Sequence, residues 1–271
     1  MQHPNFDPIA ISIGPVHVHW YGLMYLLGFA GAYLLCSLRA RRPEYGWSQD
    51  QVADMIFYTA LGVVLGGRVG YMLIYGWDQL AQNPLKLFYV WEGGMSFHGG
   101  LVGVLVASAW YARSIGKSLW DITDFGGPMV PIGLGAGRMG NFINQELWGR
   151  ATDPDAPWAM YFPKDPSHLP RHPSQLYEFA LEGVVMFAVL FWYSRKPRPR
   201  MAVSGLFAIL YGIFRSLVET VRQPDAQMGQ GGFLAGEWLT TGQLLSVPLV
   251  MVGVFMMWYA YNKIPHTVNK V

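Results

Sequence analysis

Seven long apolar runs alternate with short polar clusters along the chain, at residues 18–38, 52–75, 95–112, 122–143, 175–193, 202–221 and 243–261. Each approaches the roughly 20 residues that a helix needs to cross a bilayer. The pattern predicts an all-α polytopic membrane protein, one transmembrane domain over 1–271, with its termini on opposite sides. The fourth run is broken by Gly126, Gly127, Pro128, Pro131, Gly133, Gly135 and Gly137. The longest polar interval, 144–173, is rich in Pro and Asp and predicts a small head outside the membrane. Intervals 79–94 and 222–242 are the other loops on that side.

Lys and Arg orient this frame. One side carries Arg39, Arg41, Arg42, Arg113, Lys117, Arg195, Lys196, Arg198, Arg200, Lys263 and Lys270. The other carries Lys86, Arg150, Lys164, Arg171 and Arg222, while Arg68, Arg138 and Arg215 fall inside runs. The positive-inside rule then puts the N-terminus outside, the C-terminus in the cytoplasm and the head extracytoplasmic. Composition agrees: 52% of residues are hydrophobic and 13% charged, against about 25% charged in a soluble domain. The net charge of +2 says little about partners. The first nineteen residues hold no Lys or Arg, so no cleavable signal peptide is expected. The single cysteine, Cys36, lies near the cytoplasmic end of its run and forms neither an intrachain disulfide nor a metal-type spacing.

Polar residues in the runs carry the chemistry. At ~1.5 Å per residue, Arg215 sits ~20 Å and Arg68 ~24 Å from the cytoplasmic edge, with Arg138 at a similar height if its helix is unbroken. His98 lies ~5 Å below the outer edge and Tyr21 starts its run there. All five fall in the outer half of the membrane. An arginine at mid-span costs about 2.5–3.5 kcal/mol on insertion scales, so three call for partners. Guanidinium forks suit phosphate oxygens, and an anionic phospholipid of the outer leaflet carries its phosphate at this height.

Each constellation has a plainer reading. Tyr211, Arg215, Glu219 and Arg222 share one helix face, as substrate cations or as an Arg–Glu pair joining helices. Glu178 and Glu182, one turn apart, are read as partners of the arginines. Arg68 follows Gly66-Gly67 and has Glu92 or an inner-face glutamate as an alternative partner. The glycines after His98 admit a close backbone or a ligand. The imidazole, with an unperturbed pKa near 6.5, is a candidate general base or a structural hydrogen-bonder. His172-Pro173-Ser174-Gln175 reads as a helix start with Ser174 as cap.

The run from Gly137 to Gly149 resembles the G-R-x-G-N-F-x-N-x-E-x-x-G pattern of the phosphatidylglycerol–prolipoprotein diacylglyceryl transferase family. Trp20-Tyr21-Gly22, His98-Gly99-Gly100-Leu101, the run 171–178, Tyr211-Gly212-Ile213-Phe214-Arg215 with Glu219, and Arg222-Gln223-Pro224-Asp225 resemble it too. The likeness implies transfer of the sn-1,2-diacylglyceryl group from phosphatidylglycerol to the lipobox cysteine of a prolipoprotein signal peptide. A thioether forms and sn-glycerol-1-phosphate leaves, the first step of lipoprotein maturation, in the bacterial cytoplasmic (inner) membrane. It implies Arg138 and Arg215 on the phosphate and His98 as candidate base. Tyr21, Arg68, Gly99, Asn141, Asn144, Glu146, Gly149, Tyr211 and Glu219 complete the expected substrate-binding set. No metal, organic cofactor or nucleic acid is expected. The alternative is a transporter or flippase for an anionic lipid, which would place polar groups on both halves of its pathway.

Overall fold

A computed structural model describes residues 1–223, 233–235 and 239–264. Pro224 and Asp225, Lys270 and most of the interval 222–242 lie outside the described residues.

Two short strands, β1 (Ile9–Ile13) and β2 (Val16–His19), pair antiparallel and lead directly into α1 (Trp20–Ala40). Then follow α2 (Gln49–Ile74), α3 (Trp77–Gln82), α4 (Phe97–Ser114), α5 (Leu119–Gly126) and α6 (Val130–Asn144). After the irregular stretch 145–173 come α7 (Ser174–Glu178), a π-helical turn at Phe179–Val185, and α8 (Met186–Tyr193), which form one continuous span. The described chain ends with α9 (Ala202–Glu219), the short ladder β3 (Phe233–Ala235) with β4 (Leu239–Thr240), and α10 (Thr241–Lys263).

Five helices are long and apolar enough to cross a membrane: Trp20–Ala40, Gln49–Ile74, Ser174–Tyr193, Ala202–Glu219 and Thr241–Lys263. The protein is therefore a helical membrane protein. The third apolar run folds as α4, of 18 residues. The fourth is not one helix. A 3₁₀ segment, Gly127–Met129, separates α5 from α6, because proline removes an amide donor and crowds the preceding turn.

The chain forms two compact units, residues 33–125 and residues 1–32 with 126–271. In the first, α2 and α4 pack along glycines. A Cβ at Gly103 would run into the Gly62 carbonyl oxygen, and one at Gly66 into that of Gly99. Glycine at these positions lets the two backbones touch, the small-residue packing typical of helices in lipid. Both ends are capped: Ser48 and Gln51 form a capping box on α2, and the Ser96 hydroxyl accepts from the Gly99 amide of α4.

The second unit has two apolar centres. Met186, Leu190 and Val203 are buried where α8 meets α9, with Leu206, Phe207 and Phe214 around them. Phe142, Met160 and Phe162 form the other, packed by Trp148 and Leu176. This second cluster joins the end of α6 to residues 145–173, which fold through short bridges such as Ala151 with Arg171 and Gly149 with Arg222.

Arg171 holds this irregular region together. Its Nε donates to Asp165 Oδ2 at 2.7 Å and its Nη2 to Ser167 Oγ at 2.9 Å, while Nη1 reaches the Gly149 carbonyl at 3.3 Å. Burial opposes ionisation of Asp165, but hydrogen bonds from Arg171 and Ser167 outweigh it and hold the carboxyl below its ordinary value. The sign follows. The ionised carboxylate stabilises the fold fully above the unfolded Asp value of about 3.9, and that contribution is lost as pH falls through the lower folded value. Asp165→Asn is expected to lower the thermal midpoint at pH 7, with a loss of about 1–3 kcal/mol. In a pH series of melts, the gap between wild type and variant should close below about pH 4.

Candidate functional site

Glu178 is the hub of the site. Its side chain is fully buried at the end of α7 and receives two arginines from different helices. Arg215 Nη1 of α9 donates to Glu178 Oε1 at 2.9 Å. Arg138 Nε of α6 lies 3.3 Å from Glu178 Oε2. Arg138 Nη2 also donates to Glu182 Oε2 at 3.3 Å, and Arg215 Nη2 lies 2.9 Å from Glu219 Oε2, one turn further along α9. Arg222 stands just past α9, its Nε 3.7 Å from Glu178 Oε1.

Three guanidiniums thus meet three carboxylates. The carboxylates lie deepest, with side chains 0%, 0% and 3% exposed at Glu178, Glu182 and Glu219, while Arg138 and Arg215 remain 18% and 16% exposed. A ligand would therefore meet arginine donors, with the acids behind them. Charges this buried persist only when paired, and each fork is fixed by two oxygens before any ligand arrives. Tyr211 lies one turn before Arg215 and has Glu182, Arg215, Arg138 and Glu178 as charged neighbours. Gly242 of α10 rests on the Glu219 carboxyl; a Cβ there would lie 2.8 Å from Glu219 Cδ.

The polar end of α6 adds a second group. Asn141 is buried and its Nδ2 lies 3.5 Å from Glu146 Oε2, while Asn144 Nδ2 donates to Glu146 Oε1 at 3.3 Å. Two amides thus hold one exposed carboxylate over the turn. Tyr21 of α1 packs on Gly140, where a Cβ would lie 2.8 Å from its ring, and has Asn141, Tyr25 and Glu146 as polar neighbours. Gly149 is covered by the Val221 carbonyl and the His172 side chain, each within 2.7 Å of where its Cβ would be. Arg150 donates to the Arg222 and Glu219 carbonyls at 3.0 and 3.1 Å and so caps the end of α9.

Within this unit, Arg138, Arg215, Glu219 and Tyr211 come together, and Asn141, Asn144, Glu146 and Tyr21 form the adjoining cluster. His98, Gly99 and Arg68 belong to the other unit. His98 is exposed in the first turn of α4, edge-on to Phe97 with ring centroids 5.6 Å apart. Gly99 serves backbone approach, meeting Gly66 and Gly70 of α2.

Two side chains have partners other than those expected. Among the described residues, Arg68 pairs with no glutamate. It is buried and donates to the backbone carbonyls of Lys86, Leu87, Gly93 and Gly94, and Glu92 pairs with Lys86 at 2.9 Å instead. Backbone carbonyls can saturate a guanidinium as well as a carboxylate does, and no side-chain pattern announces them. Ser174 is not a helix cap. Its hydroxyl donates to the Leu147 carbonyl at 2.9 Å, and Pro173 occupies the cap position of α7.

Known proteins match this chain along nearly its whole length. A sequence model of the family described as prolipoprotein diacylglyceryl transferase matches residues 8–259. A Pseudomonas entomophila (strain L48) protein named phosphatidylglycerol–prolipoprotein diacylglyceryl transferase is 56% identical over 267 residues, 98% of this chain and 97% of its own. The protein of the same name from Ectopseudomonas mendocina (strain ymp) is 55% identical over 265 residues, 98% of each chain. The chain belongs to the prolipoprotein diacylglyceryl transferase family.

Proposed function

We propose that this protein transfers the sn-1,2-diacylglyceryl group of phosphatidylglycerol to the lipobox cysteine of prolipoproteins, at the outer leaflet of the bacterial cytoplasmic membrane. The observation that carries the site assignment is the single buried carboxylate of Glu178 shared by Arg138 and Arg215. It sets the spacing of two guanidiniums from different helices, which stay partly exposed while the carboxylate is fully buried. Relatives that carry the transferase name over nearly their whole length support the chemistry.

In the reaction the substrate thiol attacks the C3 carbon of the diacylglyceryl group. The C–O bond to phosphate breaks, an S–C bond forms, and sn-glycerol-1-phosphate departs. The thiol proton passes to a base or to the departing phosphate ester. Negative charge grows on the phosphate as the bond breaks, so donors fixed beforehand stabilise the transition state more than the bound lipid. Arg138 and Arg215 are those donors. Glu178, Glu182 and Glu219 keep them from turning away. Asn141, Asn144 and Glu146 offer acceptors and donors to the glycerol hydroxyls, and Tyr21 and Tyr211 stand ready to donate to lipid oxygens. The attacking thiol belongs to the substrate, so the enzyme needs no cysteine of its own; Cys36 is buried. Arg68, with its donors on loop carbonyls, orders residues 86–94 rather than the lipid.

A thiol of pKa near 8.5 is mostly protonated at neutral pH, and His98 is the candidate acceptor of its proton. His98→Gln should remove the lower-pH limb of the rate profile if the imidazole is that base. An unchanged profile would assign the proton to the phosphate ester or to water.

The seven-span topology, with the N-terminus and residues 144–173 outside and the C-terminus in the cytoplasm, adds α4 and the broken segment 119–144 to the five long helices. The uneven distribution of Lys and Arg supports it. Membrane vesicles test sidedness and reaction together. A lipobox peptide added to right-side-out vesicles should gain label from diacylglyceryl-labelled phosphatidylglycerol, while headgroup label appears as soluble glycerol phosphate. Transfer only in inverted vesicles would overturn the orientation, and headgroup label on the peptide would overturn the bond assignment.

A further inference from the structure

The turn that follows α6 is held from three directions by side chains from other parts of the chain. Gln145 and Leu147 both adopt left-handed backbone, with φ of 59° and 57°, a conformation that costs a residue with a Cβ roughly 1–2 kcal/mol. They flank Glu146 and follow Asn144, so their geometry aims the polar cluster described above.

From the N-terminal segment, His3 is buried, and its Nε2 lies 3.0 Å from the Phe142 carbonyl. Its Nδ1 accepts from the Asn5 amide at 3.0 Å, which assigns the Nε2–H tautomer and makes Nε2 the donor to Phe142. The ring packs on Phe142 and Phe162, with centroids 4.6 and 5.3 Å away. Asn5 Oδ1 then accepts from Gln145 Nε2 at 3.0 Å. From the irregular region, the Lys164 amide donates to Gln145 Oε1 and its Nζ to the Asn144 carbonyl, both at 3.0 Å. From the start of α7, Gln175 is fully buried and its Nε2 donates to the Glu146 carbonyl at 2.6 Å, beside the Ser174 bond to Leu147.

The carbonyls of residues 142, 144, 146 and 147 are therefore each fixed by a side chain from elsewhere. Hydrogen bonds of this density are needed only where a turn must be held against its own backbone preference. Gln175 has a second reach. It precedes Glu178 by three residues within α7, so it lies on the helix face that carries the hub carboxylate. One side chain thus links the turn to the hub's helix.

We propose that His3 and Gln175 are positioning residues for the phosphatidylglycerol headgroup, clamping residues 142–147 so that Asn141, Asn144 and Glu146 face the lipid. They act through the turn and touch neither the thiol nor the phosphate. The proposal rests on the transferase reading above.

The test uses the full-length enzyme in mixed micelles, with KM for phosphatidylglycerol and for a lipobox peptide measured separately. His3→Phe keeps the ring and removes both hydrogen bonds; Gln175→Met keeps the shape and removes the donor. Each should raise KM for phosphatidylglycerol by about tenfold and leave KM for the peptide unchanged. His3→Gln restores a donor to Phe142 and should recover to within about threefold of wild type. A lesion that only unfolds part of the sample would lower the apparent kcat and move neither KM. Unchanged lipid KM in both His3→Phe and Gln175→Met would overturn the clamp. Failure of the wild-type enzyme to transfer at all would instead overturn the transferase reading.

Discussion

Arg138→Ala is expected to reduce diacylglyceryl transfer by at least about 10³-fold, the scale seen when a fixed donor to a developing anion is removed. The alanine variant alone is not decisive, because Arg138 also neutralises Glu178 and Glu182. Removing it leaves a buried carboxylate without its cation, which weakens the fold as well. Arg138→Lys separates the two effects. Lysine keeps the charge but concentrates it at one nitrogen, which cannot span both carboxylates and a phosphate in one plane. The lysine variant should insert and melt close to wild type, yet lose about 10²-fold in kcat/KM. A lysine enzyme with near-wild-type turnover would show that charge alone suffices, and the fork geometry would have no catalytic part.

Glu178→Gln carries the largest expected effect on stability. Glu178 serves Arg138 and Arg215 at once and has Arg222 3.7 Å away. The amide removes the shared anion and turns a donor toward a guanidinium, so a loss of about 3–5 kcal/mol is expected. Transfer should fall with it, because the two forks lose their common anchor. Glu182 forms an ion pair with Arg138 but does not bridge two arginines among the described residues, so Glu182→Gln should be milder. The exposed Lys86–Glu92 pair, at 34% and 40% side-chain exposure, gives the reference; breaking it by Glu92→Gln should cost only about 0–1 kcal/mol. Thermal melts of the three variants in one detergent order them. Glu178→Gln melting alongside Glu92→Gln would remove the hub from the account.

Much of this arrangement is legible in the amino-acid pattern. Long apolar runs with few charges leave little choice but helices, and five of them fold within a few residues of the expected limits. Intramembrane arginines are costly, so their need for acids is legible too, and Glu178 and Glu182 stand one turn apart as those acids. Which acid serves which arginine is not legible, because it depends on how α6, α7 and α9 meet. The break between α5 and α6 is announced by Gly127 and Pro128, but whether such a segment turns or merely kinks is set by packing. Arg68 shows a different limit. Its partners are backbone carbonyls, which every residue carries, so no spacing marks them. His3 is further still from notice: a histidine in a polar leading segment, its role visible only once the segment folds onto Phe142 and Phe162.

The most direct measurement of the central claim is the intact mass of a lipobox peptide after incubation with the purified protein and phosphatidylglycerol. A gain of one diacylglyceryl group on the cysteine is predicted, retained after thioester-cleaving hydroxylamine, with sn-glycerol-1-phosphate released in equal amount. The same peptide with serine in place of its cysteine should stay unmodified. Phosphatidylglycerol crossing the bilayer of reconstituted vesicles while the peptide mass stays unchanged would contradict the account and make the protein a carrier of anionic lipid.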